Sequence, residues 1–334
     1  VTTALSRSYP NLLDYLKQRD PQGGMAQVVE YLTRRSTVLE DMPMKEGNLT
    51  TGERVSGRTS LPSEGSGWGW TRINEGVAPG KSTTRQVDEP CGMLNGLSKV
   101  DSRLIRLNGG PAFRLSEDKA FMAAMKNDVE RGTFYHSVST TPQKFTGFFP
   151  RLDATSGNEA ATQIIKHTSG ASGNDQTSIL MVVWGFDTVY GFFPQGSTGG
   201  LVAKDLGEEL VSDGDGGEYP AYRTWFDWSI GLAVRDWRYV ARVCNIDTSA
   251  LSLTADDIIP KMIDAYYRLQ DTVSGDCRIY CNRYIQAALH RQARAAVGNS
   301  SLSLAMVEGK EIVTFMGHPI RLTDGIVVTE SVVS

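Results

Sequence analysis

The spacing of apolar residues changes period several times along the chain, and each change marks an element. Leu12, Leu13 and Leu16, then Val28, Val29 and Leu32, fall at helical spacing. They predict short amphipathic helices over residues 10–19 and 25–35, parted by Asp20-Pro21-Gln22-Gly23-Gly24. From about residue 50 to 61 and again from 82 to 93 the alternation is weak, so neither face of these two arms suits the chain's own core. Between them the sequence is crowded with Gly, Trp and Pro, and the whole reads as a long hairpin with an elaborate tip. A dozen extended residues span roughly 40 Å, against a radius of gyration of about 20 Å for a compact chain of this length. A two-stranded ribbon that long is marginal alone in water. It is expected to lean on a neighbouring copy.

Residues 100–108 predict a brief helix ended by Gly109-Gly110-Pro111. Ser116 then stands as the cap of a longer helix to Gly132, with Leu115 as staple and Phe121, Met122, Met125 and Val129 on one face. The unbroken run SILMVVWGF predicts a buried strand, and Asp187-Thr188 turns it into VYGFFP, a hairpin by pattern. Residues 195–218, rich in Gly and Asp, read as loops. Residues 219–247 predict two long strands, with Tyr222, Thr224, Phe226 and Trp228, then Trp237, Tyr239, Ala241 and Val243, at alternate positions. Their turn falls near Gly231 or Arg235-Asp236. Helices follow over 257–270, where Pro260 fits only in the first turn, and 283–297, ended by Gly298, with the short strand CRIYCN between them. Short strands over 302–306, 311–316, 318–321 and 325–329 close the chain. No repeat of fixed period is present.

Composition narrows the function. The chain has 334 residues, 40% of them hydrophobic, enough to bury about three quarters of its extended surface. A formal net charge of -4 argues against a protein that grips nucleic acid through a basic field. The longest apolar run, residues 179–186, falls well short of the roughly 18 a membrane span needs. The start, VTTALSRSYP, lacks the pattern of a secretory signal, so synthesis in the cytoplasm is expected. Cys91, Cys244, Cys277 and Cys281 are too few and scattered for a secreted disulfide framework. Cys277 and Cys281 have the spacing of two zinc ligands, but the nearest histidine, His290, falls in a predicted helix and no second pair completes a site.

Candidate chemistry is thin. Gly76-Val77-Ala78-Pro79-Gly80-Lys81-Ser82 nearly spells a phosphate-binding loop, one residue short between its glycines and with no strand before it or helix after it. Asp213-Gly214-Asp215-Gly216-Gly217-Glu218 has the look of a calcium loop but carries Gly217 and Thr224 where ligands belong. His136, His167, His290 and His318 show no spacing that pairs them with a nucleophile and an acid. Asp213 or Glu218 near Trp225 and Trp228 could be imagined as a glycosidase site, but aromatics alternating at strand spacing fit a sheet core better. No catalytic residue, metal or cofactor is assigned.

The hairpin carries a resemblance. With Trp68 and Trp70 in its turn, Asn74-Glu75-Gly76-Val77-Ala78-Pro79 after them and Lys81-Ser82 beyond, it resembles the extended loop of tailed-bacteriophage major capsid proteins of the HK97-like fold, podophage-type branch. The long helix directly after it is similar to that family's spine helix. SLTADDIIPKMIDAYYRL, CRIYCN and FMGHPIRLTDGI are similar in order to its A-type domain. The resemblance implies an α+β fold: an N-terminal arm over 1–47, an extended loop over 48–97, and a P-type domain over 98–250. That P-type domain would hold the spine helix at 116–132 and the long strands at 219–247, with an A-type domain over 251–334. Those long strands come earlier than in the commonest branch, so a rearranged strand order is expected.

The same resemblance implies a self-assembling, non-enzymatic shell protein, made in the host cytoplasm and found in the virion capsid. Many copies would form rings of five and six, with scaffold, portal and cement proteins as possible partners. They would enclose double-stranded DNA without sequence-specific binding and without a membrane. The expected interface residues on the loop are Trp68, Trp70, Arg72, Asn74, Glu75, Pro79, Lys81 and Arg85. The two tryptophans are the expected anchors, since an exposed Trp pair on a glycine-rich tip is costly unless covered. The mixed charges Glu53, Arg54, Arg58, Asp88 and Glu89, with those above, are expected to fix register between copies. Two rivals remain: an encapsulin-like compartment around a protein cargo, and, from another class, a β-rich hydrolase.

Overall fold

The structure, a computed structural model, describes residues 10, 12–17 and 36–333, apart from 108–109, 158, 168–172, 174, 214–215, 249–257, 273–274, 296–301 and 308–309. In chain order its elements begin with helices α1 (Leu12–Lys17) and α2 (Val38–Asp41). Strands β1 (Met44–Glu46), β2 (Gly52–Ser60), β3 (Ser63–Glu64), β4 (Gly67–Trp68), β5 (Thr83–Pro90) and β6 (Gly92–Asp101) follow. Helices α3 (Ser102–Ile105) and α4 (Gly110–Tyr135) lead to strands β7 (Ile164–Lys166), β8 (Gln176–Trp184), β9 (Val189–Phe193), β10 (Leu201–Ser212), β11 (Glu218–Val234) and β12 (Val240–Asp247). The rest is α5 (Ile258–Arg268), β13 (Asp276–Cys281), α6 (Arg283–Ala295), β14 (Leu302–Val307), β15 (Lys310–Phe315) and β16 (His318–Leu322).

The fold is centred on β8, the SILMVVW run, every residue of which is buried. Leu180, Val182 and Trp184 face a core with Phe134, Phe148 and Tyr280. Ile179, Met181 and Val183 face a second core with Ile258 and Met262 of α5 and Ile285 and Leu289 of α6. A strand covered on both faces needs apolar residues at successive positions, which is why it reads as an unbroken run. Antiparallel neighbours flank it, β12 on one edge and β13 on the other. Beyond β13 the sheet continues through β16, β15 and β14; toward its other end come β9, β11 and β10, with β6 also paired to β11.

Several sequence expectations are corrected. Residues 195–218 are not all loop: β10 is a 12-residue strand, paired to β11 along its whole length. Exposed for most of that length, it has no buried face to impose alternation. Ser116 does not cap the long helix. α4 starts at Gly110, with Pro111 in the first turn, where a missing N–H is harmless. The brief helix expected over 100–108 is helical only in α3, because β6 runs on to Asp101, whose side chain accepts the Arg103 N–H at 2.7 Å. SILMVVWGF and VYGFFP do not form a hairpin: they share one parallel contact, Trp184 with Val189, while β9 pairs with β11 and β1.

The two long strands over 219–247 exist, with a turn at Trp237–Tyr239, but they part company. β11 joins β10, β6 and β9, whereas β12 joins β8 and β7. Residues 325–329 form no strand, and the chain returns to the sheet only through an isolated bridge from Glu330 to Gln176. α1 lies within the predicted first helix; the helix expected at 25–35 lies outside the described residues.

Buried charges tie the ends of the chain to the middle. Asp41 accepts hydrogen bonds from Tyr280 and Arg321, both at 2.9 Å. Arg242 and Glu330, both buried, pair at 2.9 Å, and Glu330 also accepts from Tyr135 and Ser178 at 2.5 Å each. Paired and hydrogen-bonded in this way, the buried charges avoid the penalty of isolated ions.

Candidate assembly interface

The hairpin's arms are β2 and β5, antiparallel, with Val55 opposite Val87 and Gly57 opposite Arg85. The expectation that neither face is buried fails at the base. Glu53 and Glu89, a directly opposed pair, are 4% and 6% exposed, and Val55 packs with Tyr190, Phe192 and Ala233. Like charges face to face in a ladder are unfavourable, so each carboxylate needs its own donors. Arg151 reaches Glu89 with two parallel bonds of 2.5 and 2.7 Å and also donates to the carbonyls of Gly147, Thr146 and Leu232. Glu53 accepts from the Tyr190 hydroxyl at 2.8 Å and the Asn48 N–H at 2.7 Å. Burial, and then the bond to Glu53, push the Tyr190 phenol well above its ordinary range. The ribbon therefore leaves the body through a fixed, buried root.

Farther out the ribbon is polar and exposed. Arg54 and Asp88 pair with each other through bonds of 2.7 and 2.9 Å, and the bond from Arg54 holds the Asp88 carboxyl below its usual range. On so exposed a surface such a pair adds little stability. Beyond Ser60 the chain forms an irregular tip. Trp68 donates from its indole to the Pro62 carbonyl at 3.0 Å, and the Gly67 N–H reaches the Ala78 carbonyl at 2.8 Å, drawing the two sides of the tip together. A Cβ on Gly80 would lie 2.3 Å from the Ser66 carbonyl oxygen, so only glycine permits this closure.

The structure leaves Trp68 and Trp70 51% and 92% exposed in the tip, with Ile73 at 94%. Asn74 adopts a left-handed backbone (φ 69°) inside a turn that Arg72 and Glu75 close on each other: the Arg72 N–H donates to the Glu75 carboxylate, the Glu75 N–H to the Arg72 carbonyl, both at 3.1 Å. Pro79 and Lys81 are exposed on the irregular backbone that leads from the tip back to β5. Arg85 stands apart from them, on the ribbon, lining an open groove of about 900 Å³ between the ribbon and residues 234–238. Of the charges expected to set register between copies, Glu53, Glu89, Arg54 and Asp88 are engaged within the subunit. Arg151 and Tyr190, which root the ribbon, lie far from it in sequence and carried no local signal.

Among the described residues the candidate chemistries are placed as follows. Residues 76–82 run as irregular exposed backbone without a following helix. Asp213 accepts the Gly217 N–H at 3.0 Å in the turn from β10 to β11. Trp225 and Trp228, on opposite faces of β11, do not line one cleft with Asp213 and Glu218. His136 lies 3.0 Å from Lys144 and 3.8 Å from Asp128, with Phe145 against its ring, and these contacts include no serine, threonine or cysteine. Cys277 and Cys281 are buried in β13, their thiols pushed up to about 12 by burial. Among the described residues no group of three or more metal-binding side chains converges.

Comparison with known proteins bears on the same features. A profile of the family described as Major capsid protein GP7 matches residues 20–334. The chain is similar to a subunit in the cryo-EM structure of bacteriophage Epsilon15, with 34% identity over 96% of each chain and a TM-score of 0.77. It also resembles the capsid of bacteriophage JBD30, covering 97% of this chain and 99% of that one at 8% identity and a TM-score of 0.50, a likeness of fold alone. The encapsulin complex of Synechococcus elongatus aligns with 66% of this chain and 93% of that one at 12% identity and a TM-score of 0.43, too weak to argue from. No curated protein matches the chain.

Proposed function

Because the chain belongs to the Major capsid protein GP7 family, and so builds the icosahedral shell around a double-stranded DNA phage genome, we propose that its rooted hairpin is the element by which each subunit holds the next. The observation that carries this is the contrast along one ribbon: a base locked by Glu89, Arg151, Glu53 and Tyr190, and a tip that leaves Trp68 and Trp70 in water. Rigid support with an uncovered aromatic end is the arrangement of a contact anchor.

The remaining loop residues divide by role. Asn74, with Glu75 and the backbone of Arg72, shapes the tip, while Pro79, Lys81 and the Arg72 guanidinium supply contacts around the tryptophans and Arg85 a separate contact on the ribbon. The arm over 1–47, the loop over 48–97, the P-type region over 98–250 and the A-type region over 251–334 divide the labour as in other HK97-like shells, in rings of five and six. Scaffold, portal and cement proteins are the partners such a shell calls for, and the subunit is made in the host cytoplasm without catalysing a reaction. A net charge of -4 supports an inner wall that encloses DNA without gripping it.

The test is the double substitution Trp68→Ala/Trp70→Ala. Both side chains are exposed, so the subunit should keep its melting temperature within about 2 °C while shell formation, seen by electron microscopy, is lost. Normal shells from this variant would refute the reading. Purified particles holding nuclease-resistant DNA, and no foreign protein, are the result expected of a virion rather than a cargo compartment.

A further inference from the structure

The large sheet ends in β10. One edge of this strand is paired to β11 along its whole length, and among the described residues no strand pairs with its outer edge. That edge is 12 residues long, roughly 40 Å at strand rise, and at every second residue a backbone N–H and C=O point away from β11. Open edges are ordinarily blunted by charges, bulges or a covering element. β10 has the charges, Lys204, Asp205, Glu208 and Glu209, and a bulge between Asp205 and Gly207. Set among them, Val202 and Leu210 are left in water, 41% and 68% exposed.

The strand, LVAKDLGEELVS, is complementary to itself. Turned antiparallel against a second copy about the bond between Leu206 and Gly207, it sets Val202 opposite Val211, Ala203 opposite Leu210 and Lys204 opposite Glu209. The bulge keeps each pair on one face. Lys204 and Glu209 stand opposite Trp225 and Ala221 of β11, and Val202 and Val211 opposite Asp227 and Tyr219, all alternate positions of one strand. Ala203 and Leu210, opposite Phe226 and Pro220, share the other face. A two-fold axis perpendicular to the sheet leaves each face on its own side, so the partners meet.

Asp205 and Glu208 would also meet, but each is already engaged within its own subunit. Asp205 accepts from Arg114 at 2.6 Å, and Glu208 accepts from Ser102 and lies 3.5 Å from Arg106. Slipping the register by two residues would set Lys204 opposite Val211 or Gly207, and Glu209 opposite Leu206 or Val202. One register alone matches charge with charge and apolar with apolar.

We propose that β10 pairs antiparallel with β10 of a second copy of this chain, across a two-fold axis at Leu206–Gly207, joining two sheets into one. Such a contact is its own partner and closes on itself, so it links copies in pairs and not in open chains. It uses no residue of the hairpin, and its test is read separately from that of Trp68→Ala/Trp70→Ala.

The register is tested with Ala203→Cys/Leu210→Cys, both exposed positions, assembled under reducing conditions and then oxidised. Within one chain the two positions are seven residues apart, roughly 23 Å, too far for a disulfide. Between paired copies they stand opposite. Background is low, since Cys244, Cys277 and Cys281 are buried and the half-buried Cys91 thiol is pushed up to about 12 by burial. A denaturing gel without reductant should show covalent dimers and nothing larger, because both bonds close between the same two copies. Ala203→Cys and Leu210→Cys alone should stay single-chain, since identical positions then lie roughly 23 Å apart.

In a second measurement, Lys204→Glu sets two pairs of like charges across the contact and should raise the concentration needed for assembly about threefold or more, while Lys204→Arg assembles as wild type. The melting temperature of the free subunit should be unchanged in both. Single-chain Ala203→Cys/Leu210→Cys shells, dimers just as strong in either single variant, or ladders beyond the dimer would overturn the proposal. So would Lys204→Glu shells forming at the wild-type concentration.

Discussion

Arg151 reaches one of two carboxylates that oppose each other across a ladder, and its five bonds are spent on that one and on three carbonyls. Arg151→Leu would leave Glu89, 6% exposed, buried beside Glu53 without a counter-charge. The expected cost is about 3–5 kcal/mol of subunit stability, measured by urea unfolding of the unassembled chain. Arg151→Lys should recover only part of it, because a lysine cannot make the two parallel bonds. In the sequence Glu53 and Glu89 are indistinguishable from the solvated charges around them. Only the arrival of Arg151 and Tyr190 from distant segments makes them roots of the ribbon.

At the scale of elements, what decides β11 is where its partners let it go. Its first part carries β10 and β6, and its last part turns to β9, where Gly231 sits against Phe192. A Cβ there would lie 2.3 Å from the fully buried Phe192 ring. Gly231→Ala should therefore cost about 1–3 kcal/mol by overpacking, read from the denaturant midpoint. Phe192→Leu in the same chain should cost less than the two changes summed separately, since the pair shares one space. The helices α5 and α6 and strand β11 were legible because their apolar positions keep a single period over many residues. β10 was not, because exposure left its polar and apolar residues unordered, and the start of α4 was hidden behind a glycine pair that normally ends helices.

Across the whole molecule, α4 is joined to the segment after β16 by Glu130, which is 1% exposed and accepts one bond, from Thr323 at 2.5 Å. Burial, aided by the nearby Asp324 carboxylate, raises its pKa above the ordinary 4.5. Between 4.5 and that raised value the folded chain holds a proton that the unfolded chain has released, so this group's contribution to stability declines as pH rises through the window. Glu130→Gln removes the titration. The difference in unfolding free energy, variant minus wild type, should grow as pH rises above 4.5 and level off once Glu130 is ionised in both states. A difference independent of pH would refute this account.

What the amino-acid order determined alone was local: a polar ribbon with an aromatic tip, a strand buried on both faces, two amphipathic helices, and the sequence of parts that marks a shell subunit. Periodicity and turn chemistry are properties of neighbouring residues, so they survive in the string. Which strand lies beside which, and the rooting of the ribbon by Arg151 and Tyr190, were decided only in three dimensions. Those choices depend on residues tens to hundreds of positions apart, whose meeting no local pattern encodes.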